Sequence, residues 1–121
     1  MKKILIVDDQ PEVSRLLEIV LRREGRQLLF AANGEEGLAL ATRELPDLVL
    51  LDLMMPGDLD GYAVTRHLRQ DPATAGALIV VMTAKVREQD RQEALAAGAD
   101  DYIAKPFEVL ALKNKVERLL G

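Results

Sequence analysis

Apolar residues recur along the chain in two rhythms, short unbroken runs alternating with longer amphipathic stretches. The short runs are residues 4–7, 28–31, 48–51, 78–82 and 102–104. The runs at 4–7, 48–51 and 78–82 are nearly uninterrupted Ile, Leu and Val. That pattern predicts strands buried on both faces of a parallel sheet. The runs at 28–31 and 102–104 are weaker and are expected at the sheet edges.

Between the runs the period changes to that of a helix. Pro11 suits a first helical turn, and Val13, Leu16, Leu17, Val20 and Leu21 form one apolar face before Gly25 stops it. Asn33 followed by Glu36 predicts a capped second helix, with Leu38, Ala41 and Leu45 inward and Pro46 beyond its end. Asp60 can cap a third helix carrying Val64 and Leu68, closed by Asp71 and Pro72. A fourth, over 86–97, is polar and Ala-rich, so its packing is expected to be thin, and Gly98 ends it. A fifth starts near Glu108 with Val109, Leu112, Val116 and Leu119 on one face.

Strict alternation of strand and helix implies right-handed crossovers and a sheet covered on both sides. The expected fold is therefore α/β, a five-stranded parallel sheet of order 2-1-3-4-5 flanked by five helices, flavodoxin-like and doubly wound. At 121 residues, 49% hydrophobic and 30% charged, the chain reads as one globular domain spanning 1–121. It lacks cysteine, which suits a reducing cytoplasm. A net charge of −4 without a basic block argues against direct binding to nucleic acid or an anionic membrane.

The chemistry lies where the strands end. In such a sheet every strand delivers its C-terminus to one edge, where ligands bind. Strand 1 ends in Asp8 and Asp9, strand 3 in Asp52, strand 4 in Thr83 and strand 5 in Lys105. Carboxylates ~5 Å apart at an effective dielectric near 20 repel by roughly 3 kcal/mol per pair. A single Lys cannot neutralise that cluster, whereas a divalent cation can. All-oxygen ligands without His or Cys point to Mg²⁺ rather than Zn²⁺. Without metal, the cluster is expected to titrate above the ordinary carboxylate range. A nucleophilic Asp beside Mg²⁺, a hydroxyl and an ammonium describes phosphoryl transfer. With no Gly-rich phosphate loop, the site suits accepting a phosphoryl group better than turning over a nucleotide.

These residues resemble the receiver domain of bacterial response regulators. The resemblance rests on Ile-Val-Asp8-Asp9, on Leu-Leu-Asp52-Leu-Met-Met-Pro56-Gly, on Met-Thr83-Ala84, and on Gly98-Ala-Asp-Asp-Tyr102-Ile-Ala-Lys105-Pro106-Phe107. It covers essentially the whole chain. It implies that Asp52 accepts a phosphoryl group from a sensor histidine kinase or phosphotransfer protein. It implies Mg²⁺ held by Asp9 and Asp52, with Asp8 acting through water and the Met54 main-chain carbonyl as a further ligand. Lys105 would pair with the phosphoryl oxygens, Thr83 would move toward them, and Tyr102 would turn inward behind it. The Lys105–Pro106 bond would be cis. Output would appear as a population shift on the face of helix 4, strand 5 and helix 5, controlling a downstream protein and allowing a phosphorylation-dependent dimer.

On this reading the chain is no enzyme beyond its own phosphorylation and slow dephosphorylation, works in the cytoplasm, and carries no output domain. Gly57-Asp58-Leu59-Asp60-Gly61 is one residue longer than the family pattern, which puts the loop rim in question. Met54 and Lys85 stand where the family tunes hydrolysis and predict a phosphorylated lifetime of minutes or longer. The rival enzyme reading, a Mg²⁺-dependent phosphatase of haloacid dehalogenase type, wants Asp-x-Asp where this chain has Gln10. A flavin module is disfavoured by the acidic first loop, and a pseudo-receiver by the complete set of pocket residues. His67, the single histidine, reads as surface, and Arg22 and Arg23 as a solvated helix end.

Overall fold

The computed structural model describes residues 1–84 and 87–121. Strands β1 (Lys2–Val7), β2 (Arg26–Ala31), β3 (Leu48–Asp52), β4 (Leu78–Thr83) and β5 (Asp101–Ala104) alternate with helices α1 (Pro11–Leu21), α2 (Gly34–Glu44), α3 (Gly61–Gln70), α4 (Glu88–Ala97) and α5 (Val109–Leu120). The strands form one sheet of order β2-β1-β3-β4-β5, and every pairing is parallel.

The sequence rhythm and the packing agree. Residues 4–7, 48–52 and 79–83 are buried without a break, as continuous apolar runs in central strands require. β2 and β5 lie at the edges and are mostly half-buried. Successive side chains point to opposite faces. Leu5, Val7, Val49, Leu51, Ile79 and Val81 face α2, α3 and α4, packing with Ala41, Val64, Leu68 and Ala94. Ile4, Ile6, Leu48, Leu50, Val80 and Met82 face α1 and α5, packing with Leu17, Leu21, Leu112 and Val116.

The helix starts follow their caps. The Asn33 side chain accepts from the Glu36 N–H, and that of Asp60 from the Ala63 N–H. Gly98 closes α4 at φ 117, a left-handed conformation that suits glycine. α4 buries only Asp90 and Ala94, the thin packing expected of it. The expected start of that helix at Val86, like Lys85, lies outside the described residues.

Three expectations fail in detail. Leu16, expected on the apolar face of α1, is 38% exposed where it lines a surface cleft with Val13 and Phe107. Leu45 does not point inward: it is 52% exposed and caps α2 at φ 50, its N–H donating to the Ala41 carbonyl. Pro46 excludes a helical conformation for the residue before it, so the helix stops at Glu44 and Leu45 leaves the apolar face. Val109 begins α5 and is 39% exposed, because the first turn overhangs the core that Leu112 and Val116 enter.

Candidate functional site

The strand C-termini bring five polar side chains to one edge. Asp8 follows β1 directly, its side chain fully buried, while Asp9 beside it is exposed. Asp52 is the last residue of β3 and is 4% exposed. Thr83 ends β4 and is fully buried. Lys105 follows β5, and its backbone N–H donates to the Thr83 carbonyl at 2.8 Å. The Lys105–Pro106 peptide bond is cis.

The buried carboxylates are not left bare. Asp8 Oδ1 accepts the Gln10 N–H at 2.9 Å, and Asp8 Oδ2 accepts from Lys105 Nζ at 2.8 Å. Asp52 Oδ1 accepts the Met54 N–H at 3.0 Å, and Asp52 Oδ2 lies 3.5 Å from Lys105 Nζ. These partners do not fully offset desolvation. Burial pushes the Asp52 carboxyl above its ordinary range, against the Met54 N–H and the Lys105 charge, and the Asp8 charge adds to the rise.

One oxygen from each of Asp8, Asp9 and Asp52 lies within 4.8 Å of the others. Their convergence fits a hard divalent cation, since the donors are carboxylate oxygens and no His or Cys stands among them. The adjoining cleft of about 260 Å³ is lined by Asp9, Gln10, Asp52, Met54, Ala84 and Lys105. So the two adjacent carboxylates after β1 diverge. Asp8 is anchored to Lys105 and to the backbone, and Asp9 faces the opening.

The sequence and the fold are matched by known proteins. Residues 4–117 match the family model of the response regulator receiver domain. The chain belongs to that family. The receiver is 40% identical to Protein PilH of Pseudomonas aeruginosa, over 100% of this chain and 99% of that one. It is 42% identical to the DNA-binding dual master transcriptional regulator RpaA of Synechocystis, covering 99% of this chain but 49% of RpaA. This receiver thus spans about half the length of that relative. The solved structure of chemotaxis protein CheY4 of Vibrio cholerae superposes with a TM-score of 0.90 at 28% identity, covering 98% of both chains.

The remaining residues singled out in the receiver fall as follows. Met54 is 54% exposed on the cleft wall. Tyr102 is half-buried on β5 and packs on the sheet face that carries α2 to α4. His67 is exposed on α3, away from the acidic edge. In the loop after β3, Leu59 is half-buried over the main chain of Gly34. Any Cβ at Gly34 would come within 2.7 Å of the Leu59 Cβ, so the glycine is what admits the loop.

Sequence reasoning missed Gln10 as a member of the site. Its side-chain Oε1 accepts from Lys105 Nζ at 3.2 Å. The available signal was its place as N-cap of α1, where Gln is an uncommon choice.

Proposed function

We propose that the receiver is a phosphoryl-accepting switch in which Asp52 is the acceptor. The observation that carries this reading is the placement of Asp52 itself, a buried carboxylate opening onto a cleft with Lys105 Nζ at 3.5 Å and Asp8 and Asp9 alongside. A carboxylate oxygen of Asp52 attacks phosphorus in line, forming a P–O bond. The P–N bond to a donor phosphohistidine breaks, and the imidazole leaves with the electron pair. Lys105, 3.5 Å from Asp52, would pair with a phosphoryl oxygen, and Thr83 would move to bring its hydroxyl to another.

Asp8, Asp9 and Asp52, with the Met54 main-chain carbonyl, are the residues that would hold Mg²⁺. When bound, the ion neutralises the carboxylates and the transferring oxygens. The donors are a sensor histidine kinase or a phosphotransfer protein, met in the cytoplasm. Output runs through α4, β5 and α5, whose thinly packed α4 supports a shift in population, toward a partner protein or a dimer. The chain turns over no other substrate, and its acyl phosphate persists for minutes or longer.

The test is intact mass after incubation with acetyl phosphate and Mg²⁺, beside Asp52→Ala and a chelator. One added phosphoryl group, lost in both controls, supports the reading. No adduct on the folded wild-type chain would refute it and leave a phosphorylation-independent interaction module.

A further inference from the structure

Gln10 occupies an N-cap, where Ser, Thr, Asp and Asn are favoured because a short side chain can reach the first free N–H groups. Its side chain makes no capping hydrogen bond. It reaches the other way, to Lys105 Nζ at 3.2 Å. The root of that side chain is fixed at both ends. The Gln10 N–H donates to Asp8 Oδ1, and the Gln10 carbonyl accepts from the Val13 and Ser14 N–H groups.

An ammonium has three protons to place. Asp8 Oδ2 takes the shortest contact at 2.8 Å, Gln10 Oε1 the next at 3.2 Å, and Asp52 Oδ2 lies farther at 3.5 Å. The order matters chemically. An ammonium collapsed onto Asp52 would tie up the attacking oxygen and fill the space an incoming phosphoryl oxygen needs. An acceptor on the cleft rim draws the ammonium outward, and an amide does so without adding a charge to the three carboxylates already there.

We infer that Gln10 is a positioning residue for Lys105, holding its ammonium on the Asp8 side of the cleft so that Asp52 stays open to attack, a role that rests on Asp52 being the phosphoryl acceptor. Gln10→Met keeps the length of the side chain and removes the acceptor. Gln10→Asn keeps an uncharged amide acceptor at a shorter reach.

The experiment reads the rate of phosphorylation by acetyl phosphate with Mg²⁺, and the side-chain NMR resonances of Lys105 in unphosphorylated, metal-free protein. Gln10→Met is expected to slow phosphorylation about five- to tenfold, less than the full weight of a hydrogen bond to a charged group because this one is long and exposed. It also shifts the Lys105 resonances, while Gln10→Asn, an uncharged acceptor of shorter reach, shifts both less. In a Lys105→Met background, Gln10→Met adds nothing further. A loss that persists without Lys105, or unshifted Lys105 resonances, would overturn the inference. If wild-type protein takes up no phosphoryl group, the acceptor reading fails instead. The Lys105 resonances then still decide whether Gln10 holds the ammonium.

Discussion

Lys105 Nζ lies 2.8 Å from Asp8 Oδ2 and 3.5 Å from Asp52 Oδ2, so the ammonium sits nearer Asp8 than the proposed acceptor. Asp8 holds the closer ion pair, while burial raises the Asp52 carboxyl above its ordinary value. This asymmetry between two buried carboxylates underlies the predictions that follow.

Asp52→Asn should stabilise the metal-free protein at neutral pH, by about 1 kcal/mol or roughly 4 °C in Tm. The Asp52 carboxyl titrates above its ordinary value of 3.8 because it is desolvated. A group raised on folding gives stability that is full below its unfolded pKa and is lost as pH rises through its folded pKa. The advantage of the amide should therefore grow with pH across that window and vanish below it. Thermal melts of both proteins from pH 3 to 8, with chelator present, check this; an equal or lower Tm for Asp52→Asn at pH 8 would contradict it.

Divalent cation should likewise stabilise the wild-type chain, by offsetting the same carboxylate charge. At a hundredfold excess over its dissociation constant, Mg²⁺ should stabilise by about 2.7 kcal/mol, roughly 10 °C. Asp9 is exposed, so Asp9→Asn should leave the metal-free stability within about 0.5 kcal/mol of wild type. It should nevertheless remove most of the Mg²⁺-dependent rise. Melts across a Mg²⁺ titration separate the two effects, and an undiminished rise in the variant would place the ion elsewhere.

Gly61→Ala should damage both fold and site. A Cβ there would sit 2.5 Å from the Asp52 carbonyl oxygen and the Leu53 Cα. Those are backbone atoms at the end of β3, which cannot swing aside as a side chain would. The expected cost is about 2 kcal/mol, with slower phosphorylation because Asp52 itself is displaced. Denaturant unfolding gives the first quantity and the acetyl phosphate reaction the second. A neutral result in both would show that β3 and the start of α3 are looser than the packing indicates.

The architecture was legible because central strands buried on both faces cannot alternate, and 4–7, 48–51 and 78–82 do not. The site followed from topology, since parallel strands must all end at one edge. What the sequence concealed lies at local conflicts between signals. Leu45 has the helical spacing of a core residue, but Pro46 overrides it. Val109 has the spacing too, yet the first turn of α5 extends past the sheet. The hub at Arg69 was invisible for another reason. Its guanidinium donates to the carbonyls of Gly98, Ala75 and Ala77 and to the Asp100 carboxylate, tying the loop before β4 to the loop before β5. No spacing rule links those positions, because the contact exists only once the crossovers have closed.

The most direct test of the central claim is the location of the acyl phosphate. Borohydride reduces an aspartyl phosphate to homoserine, leaving a mass change that peptide sequencing can place. After phosphorylation with acetyl phosphate and Mg²⁺, homoserine should appear at position 52 and not at Asp8 or Asp9. Homoserine at either of those positions, or none in a protein that carries the added phosphoryl mass, would contradict Asp52 as the acceptor.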